Sequence, residues 1–181
     1  MGRKRVFVTG MGIFCPLGSE IKEFWNNLSH GKSGVHHITK FDPTPSLTRF
    51  AGVIQNYDPK SYFSPREQRS CEAFVQYGLL AAREAIAQAE VNGPDLSKCS
   101  VVVGTGIGGI VSYKPAYDAL YLPDKNRKIN AFTIPKMMNN ALSAQIAIEH
   151  GCEGRNFTVN TACSSGANAI GIGAEWLQAG L

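Results

Sequence analysis

The hydrophobic pattern along the chain alternates between short strand-like runs and longer helical stripes. Arg5 to Thr9 (RVFVT) reads as a buried strand that breaks at Gly10-Met11-Gly12. After Pro16-Leu17-Gly18, Ser19 is placed to cap a short amphipathic helix from Glu20 to Leu28 carrying Ile21, Phe24, Trp25 and Leu28. From His30 to Ser64 glycine, proline and serine accumulate and only Phe50 to Gln55 looks extended, so an irregular cap is expected. Ser64-Pro65 opens a predicted helix running to Glu90, whose later part is alanine-rich and apolar over a wide face. Ser100 to Gly104 (SVVVG) is a second strand, and residues 110–135, with prolines, aromatics and no clean period, read as an insertion or interface segment. Pro135 to His150 is apolar nearly all round, the pattern of a buried helix. Phe157 to Asn160 is a third strand and Ser165 to Ala179 a third major helix. Such alternation predicts an α/β protein with a mainly parallel sheet.

Composition narrows the classes. A chain of 181 residues with 44% hydrophobic and 18% charged residues can bury a core and is expected to be globular rather than disordered. The net charge of +4 is spread out, with no basic run longer than Arg3-Lys4-Arg5, which argues against nucleic acid as a partner. No stretch approaches the ~18 apolar residues of a membrane span. The basic start followed by an apolar run imitates a signal peptide, but Gly10, Gly12 and the lack of an A-x-A-like cleavage site argue against one. Five cysteines, odd in number and without paired or metal-ligand spacing, suggest a reducing cytoplasm.

Three stretches could carry chemistry. GTGIGG at 104–109 satisfies G-x-G-x-x-G after a strand, yet a dinucleotide site also needs an acidic residue at the end of the next strand. Asp124 has the distance but sits in turn-like YLPDKNRK, so a tight turn with close backbone packing is the better reading. His36-His37 with His30 and His150 fail as a metal site because adjacent histidines diverge and no Cys, Asp or Glu completes a set. Cys163, in TVNTACSSGANAIG at 158–171, stands at a strand-to-helix junction. There the helix dipole and free N–H groups favour a thiolate and can hold an oxyanion. A small buried cysteine packed under the sheet is the alternative reading. A serine hydrolase elbow is not met, since neither Ser164 nor Ser165 has a glycine two positions before it.

Taken in order, RVFVTGMGIFCPLG at the start, FWNNLSHGKSGV at 24–35, ITKFD at 38–42, FVQYGLLAAREA at 74–85, VVVGTGIGG at 101–109 and NTACSSGANAIG at 160–171 resemble the β-ketoacyl-ACP synthases of the elongating (type II) class. The resemblance implies a thiolase-like fold, two α/β halves stacked as five layers (αβαβα), and a homodimer. It also implies a decarboxylating Claisen condensation of acyl-ACP with malonyl-ACP, without a cofactor or metal. Cys163 falls on the family's nucleophile, which takes the acyl group, and its own N–H on one of two oxyanion donors. Ile107 falls on a position lining the acyl pocket near the dimer interface. Phe132 and Thr133, in NAFTIP, match a pocket pair often aromatic at both places, so Thr133 is a departure. Arg66 and Arg69, in SPREQRS, fall where the family presents basic residues to the acidic acyl carrier protein. Cys71-Glu72 stands where members usually carry Met-Asp.

The resemblance further implies that residues 1–181 form the N-terminal half, with irregular segments near 30–64 and 110–135 and the C-terminal half absent. Two histidines that activate malonyl-ACP, a nearby lysine and the second oxyanion donor are implied to lie in that other half, and none of His30, His36, His37 or His150 matches them. The chain alone is therefore expected to be inactive in condensation and to self-associate through uncovered apolar helices. A polyketide ketosynthase, a chain-length-factor-like partner and an acyl-binding half without turnover are the alternatives; Cys163 argues against the partner subunit.

Overall fold

The computed structural model describes residues 4–89, 95–122 and 128–181. In chain order the helices are α1 (Ile21–Ser29), α2 (Pro65–Ser70), α3 (Ala73–Gln88), α4 (Tyr113–Tyr121), α5 (Thr133–Met137), α6 (Ala141–His150) and α7 (Ser165–Ala179). The strands are β1 (Val35–His37), β2 (Phe50–Gly52), β3 (Val101–Gly104) and β4 (Asn156–Val159). β3 and β4 pair in parallel, from Val101 opposite Asn156 to Gly104 opposite Val159.

Neighbouring strand residues point to opposite faces, and this sorts the layers. Asn156 Nδ2 donates to the Ser143 carbonyl at 2.8 Å and the Thr158 and Ser143 hydroxyls meet at 3.0 Å, so that face of β4 receives α6. Phe157 lies with its ring 6.0 Å from Trp176, so the other face receives α7. Outside α6 packs α3. Phe63, Cys71, Val75 and Leu79 form a buried cluster there with Leu142 and Ile146 of α6. Arg83 of α3 grips Glu149 of α6 with two bonds of 2.6 and 2.9 Å while stacking 4.8 Å over the Phe63 ring. The resulting order is α3, α6, sheet, α7.

Several expectations change. Arg5 to Thr9 is not a strand: no ladder partner lies beside it among the described residues, and Phe7 and Val8 are exposed. Instead the segment that follows is drawn onto α3, where Gly10 and Gly12 press against the carbonyls of Ala85 and Ala81 so closely that a Cβ would clash. Glu84 completes that junction, accepting from the N–H groups of Ile13 (2.8 Å) and Ile21 (2.7 Å), which ties the chain start and α1 to one side chain. Ser19 does not cap α1: the residue before the helix is Glu20, which makes no side-chain capping bond, and the Ser19 N–H instead donates to the Glu23 carboxylate at 2.7 Å.

The helix predicted from about Arg66 to Glu90 is two helices, and its last predicted residue lies outside the described residues. α2 starts as expected, with a capping box between Ser64 and Glu67. It stops because Cys71 and Glu72 turn extended: Cys71 enters the core, while the Glu72 carboxylate accepts the Ser112 N–H from 40 residues away. Pro135 to His150 likewise breaks at Met138, and α6 is not buried all round, since Ile148 is 72% exposed. Residues 110–135 are not wholly irregular. They contain α4, whose Tyr113, Tyr117 and Tyr121 repeat every four residues, a helical period. Within 30–64, β1 and β2 pair antiparallel. Among the described residues no helix is long and apolar enough to cross a membrane.

The half-buried Tyr57 phenol and the buried Cys71 thiol make stability sensitive to alkali. Burial pushes the Cys71 thiol above its ordinary value, and burial with the neighbouring Tyr77 and Tyr62 pushes Tyr57 up to about 12. The folded state thus prefers the protonated forms, so their contribution is complete below the unfolded values near 9 and 10 and is lost as pH rises toward the folded ones. The urea midpoint is expected to stay flat to about pH 9 and to fall above it, with a shallower fall in Cys71→Ala. A midpoint that rises across that range would contradict this account.

Candidate active site

Cys163 sits in a single 3₁₀ turn, Ala162–Ser164, between the end of β4 and the start of α7, and its side chain is exposed. The turn is backbone-strained. Ala162 has φ 53°, in the left-handed region that costs a residue with a Cβ roughly 1–2 kcal/mol. Polar side chains at 161, 164, 165 and 168, one helical face, hold it. The buried Ser165 hydroxyl accepts the Thr161 N–H at 2.9 Å and donates to the Ala162 carbonyl at 2.7 Å. Ser164 Oγ donates to the Thr161 carbonyl at 2.7 Å, and Asn168 Nδ2 donates to the Thr161 hydroxyl at 2.6 Å. Among the described residues no hydrogen bond uses the Cys163 N–H. A donor at the start of α7 is thereby left beside the thiol.

The GTGIGG loop walls this turn, and its structure suits tight packing rather than phosphate binding. At Gly104 the strand crosses α7 so closely that a Cβ would run into the backbone of Ser165 and Gly166. Thr105 N–H donates to the Val159 carbonyl at 3.1 Å, and Asn160 Nδ2 donates to the Gly106 carbonyl at 2.9 Å. Asp124, which a dinucleotide reading requires, lies outside the described residues. Ile107 follows directly and is 63% exposed; with Gly109, Ile110, Tyr113 and Met137 it lines an open apolar cleft of about 330 Å³.

The other predicted positions do not all converge there. Phe132 lines a separate groove of about 400 Å³ with Arg66, Cys71, Leu79, Ile148 and Glu149. Thr133 is buried at the first turn of α5. Arg66 and Arg69 are exposed on α2. His36 and His37 lie on β1, and among the described residues no three His, Cys, Asp or Glu side chains gather as a metal site. The polar clamp of Thr161, Ser165 and Asn168 was missed by sequence reasoning, although its i, i+4, i+7 spacing was in view.

Parallel strands with α6 on one face and α7 on the other, and a cysteine turn leading into α7, define a half of the thiolase-like fold. The whole chain supports the finer assignment. It belongs to the β-ketoacyl synthases, matching the family described as "Beta-ketoacyl synthase, N-terminal domain" over residues 3–181. The 3-oxoacyl-[acyl-carrier-protein] synthase 2 of Vibrio cholerae is 34% identical over 99% of this chain and 44% of its own length. That of Staphylococcus aureus is 34% identical over 98% and 43%. A solved β-ketoacyl synthase from Burkholderia phymatum superposes with a TM-score of 0.81 at 25% identity, over 98% of this chain and 44% of that one. The ishigamide ketosynthase/chain length factor reaches a TM-score of 0.86 at 24% identity, over 99% and 45%, and speaks for the fold alone. The chain therefore spans less than half the length of the relatives it matches.

Proposed function

We propose that the protein takes part in a decarboxylating Claisen condensation of fatty-acid elongation, as a 3-oxoacyl-[acyl-carrier-protein] synthase, and that Cys163 is its acyl acceptor. The observation that carries this is the exposed thiol at the head of α7 beside an unused N–H. The thiolate attacks the carbonyl of an acyl thioester on the carrier protein. A carbon–sulfur bond forms to Cys163, the Cys163 N–H steadies the oxyanion, and the carrier's thiol leaves with a proton. Malonyl-carrier protein then loses CO2, and its carbanion attacks the acyl-cysteine and releases the thiol. The names of the 34%-identical relatives favour this over a polyketide system, since a solved type II PKS ketosynthase in complex with its acyl-carrier protein is, at 23% identity, similar in fold only.

The same reading makes residues 1–181 the N-terminal thiolase-like half, with the Ile107 cleft taking the acyl chain and Arg66 and Arg69 docking the carrier; Phe132, in a separate groove, and Thr133, buried in α5, are left out of that cleft. Exposure of both arginines on α2 supports the docking role, because opposite charge steers association. A homodimer in the cytoplasm is part of the proposal. Its support is the exposed apolar run of Ile107, Ile110, Val111 and Tyr113, continued by the rings of Tyr117 and Tyr121, tilted against each other with centroids 4.8 Å apart, together with five free cysteines.

Intact mass before and after exposure to acyl-carrier protein tests the reading. An added acyl mass is expected, formed more slowly when Arg66 and Arg69 are both changed to Glu. A protein that stays at its starting mass would sink it.

A further inference from the structure

We propose that Ser165 is the positioning residue for Cys163, its buried hydroxyl locking the strained turn so that the thiol and the N–H beside it face the same open side. This inference rests on the reading of Cys163 as a nucleophile. Ser165 is 2% exposed, so its hydroxyl has no water to bond and must find partners inside. It finds two at the entry to the cysteine turn. The Thr161 N–H donates to it at 2.9 Å, and it donates to the Ala162 carbonyl at 2.7 Å. One oxygen thus ties the peptide unit before Thr161 to the one after Ala162, bridging a φ of 53° that an alanine would leave if free. Relaxing Ala162 would rotate the next peptide, and that peptide carries the Cys163 N–H.

The arrangement also separates Ser165 from its neighbour. Ser164 bonds the same stretch, but its exposed hydroxyl reaches Thr161 and Asn168 and not the Ala162 carbonyl, so it braces the turn from one end. Gly104 packs against the Ser165 backbone so closely that a Cβ there would clash with its carbonyl, which fixes where Ser165 starts α7. A hydroxyl is required by this geometry: alanine removes both bonds, whereas threonine keeps the oxygen.

The test is the rate of iodoacetamide alkylation at Cys163 as a function of pH, read by peptide mass spectrometry in the intact protein. Cys99, the other exposed cysteine, is the internal control. In Ser165→Ala the Cys163 rate is expected to drop by about tenfold or more and its pH profile to change, with Cys99 unaltered. Ser165→Thr is expected to restore most of the rate. Glycine enters the left-handed region freely, so Ala162→Gly added to Ser165→Ala keeps the variant folded and is expected to regain part of the loss. Unchanged alkylation of Cys163 in Ser165→Ala, or equal slowing at Cys99, would overturn the proposal. Loss of the acyl adduct in a wild-type protein whose alkylation still depends on Ser165 would defeat the nucleophile reading and leave this one standing.

Discussion

Cys163→Ala is expected to lower acyl transfer from a carrier-protein thioester by about four orders of magnitude or more, with the fold retained. Loss on this scale follows from covalent catalysis, since no bystander replaces the atom that forms the bond. The other thiols are poor substitutes. Cys71 is buried in the core with its proton held on by burial, and burial also raises the Cys152 thiol. Cys99 is exposed but lies just before β3, at the end opposite Gly104 and the Cys163 turn. The side chain of Cys163 makes no packing contribution to the buried core, so the urea midpoint of the variant should stay close to that of the parent. Single-turnover transfer of a labelled acyl group is the measurement. Transfer that survives the substitution would move the acceptor to another residue.

Gly104→Ala is the second large effect, and it acts on stability before chemistry. The methyl group would enter the space of the Ser165 carbonyl and the Gly166 nitrogen, all of it backbone. Backbone cannot swing aside as a side-chain tip can, so either β3 or α7 must shift. Overpacking of this kind costs about 1–3 kcal/mol and occasionally more, and a backbone clash belongs at the upper end. A fall of the urea midpoint equivalent to about 3 kcal/mol is expected, together with slower alkylation of Cys163, because α7 carries the turn. By contrast, a Cβ at Gly166 would meet nothing within 4 Å, so Gly166→Ala is the matched control. Equal stability of the two variants would show that the β3–α7 approach is looser than described.

Much of this was readable before the structure. α7 begins and ends where its apolar stripe and Gly180 predict, and β3 and β4 fall within one residue of their expected bounds. The parallel pairing follows from alternation, since a strand, a helical crossover and another strand leave few other arrangements. Cys163 stands at a strand-to-helix junction in the sequence pattern, and the structure places it there. What the pattern concealed is instructive at Cys71–Glu72. Both residues are compatible with a continuous helix, and the break arises because a core vacancy takes the thiol and a distant N–H at Ser112 claims the carboxylate. Arg5 to Thr9 errs in the other direction. Its composition suits a strand, but a strand exists only when a neighbour supplies the ladder, and here α3 holds the following residues instead.

The sequence by itself determined local matters: which stretches favour helix or strand, where α2 is capped, and which cysteine stands at a helix start. Its ordered motifs also determined the family. The tertiary structure alone decided where Ala162 is forced into the left-handed region, that Ser165 spans it, and that Ile107 and Phe132 open into different clefts. The physical reason is one of range. Propensity, capping and periodicity act over a few residues, whereas strain is sustained only when groups from separate segments, here the strand ending at Gly104 and the helix starting at Ser165, leave the backbone nowhere else to go.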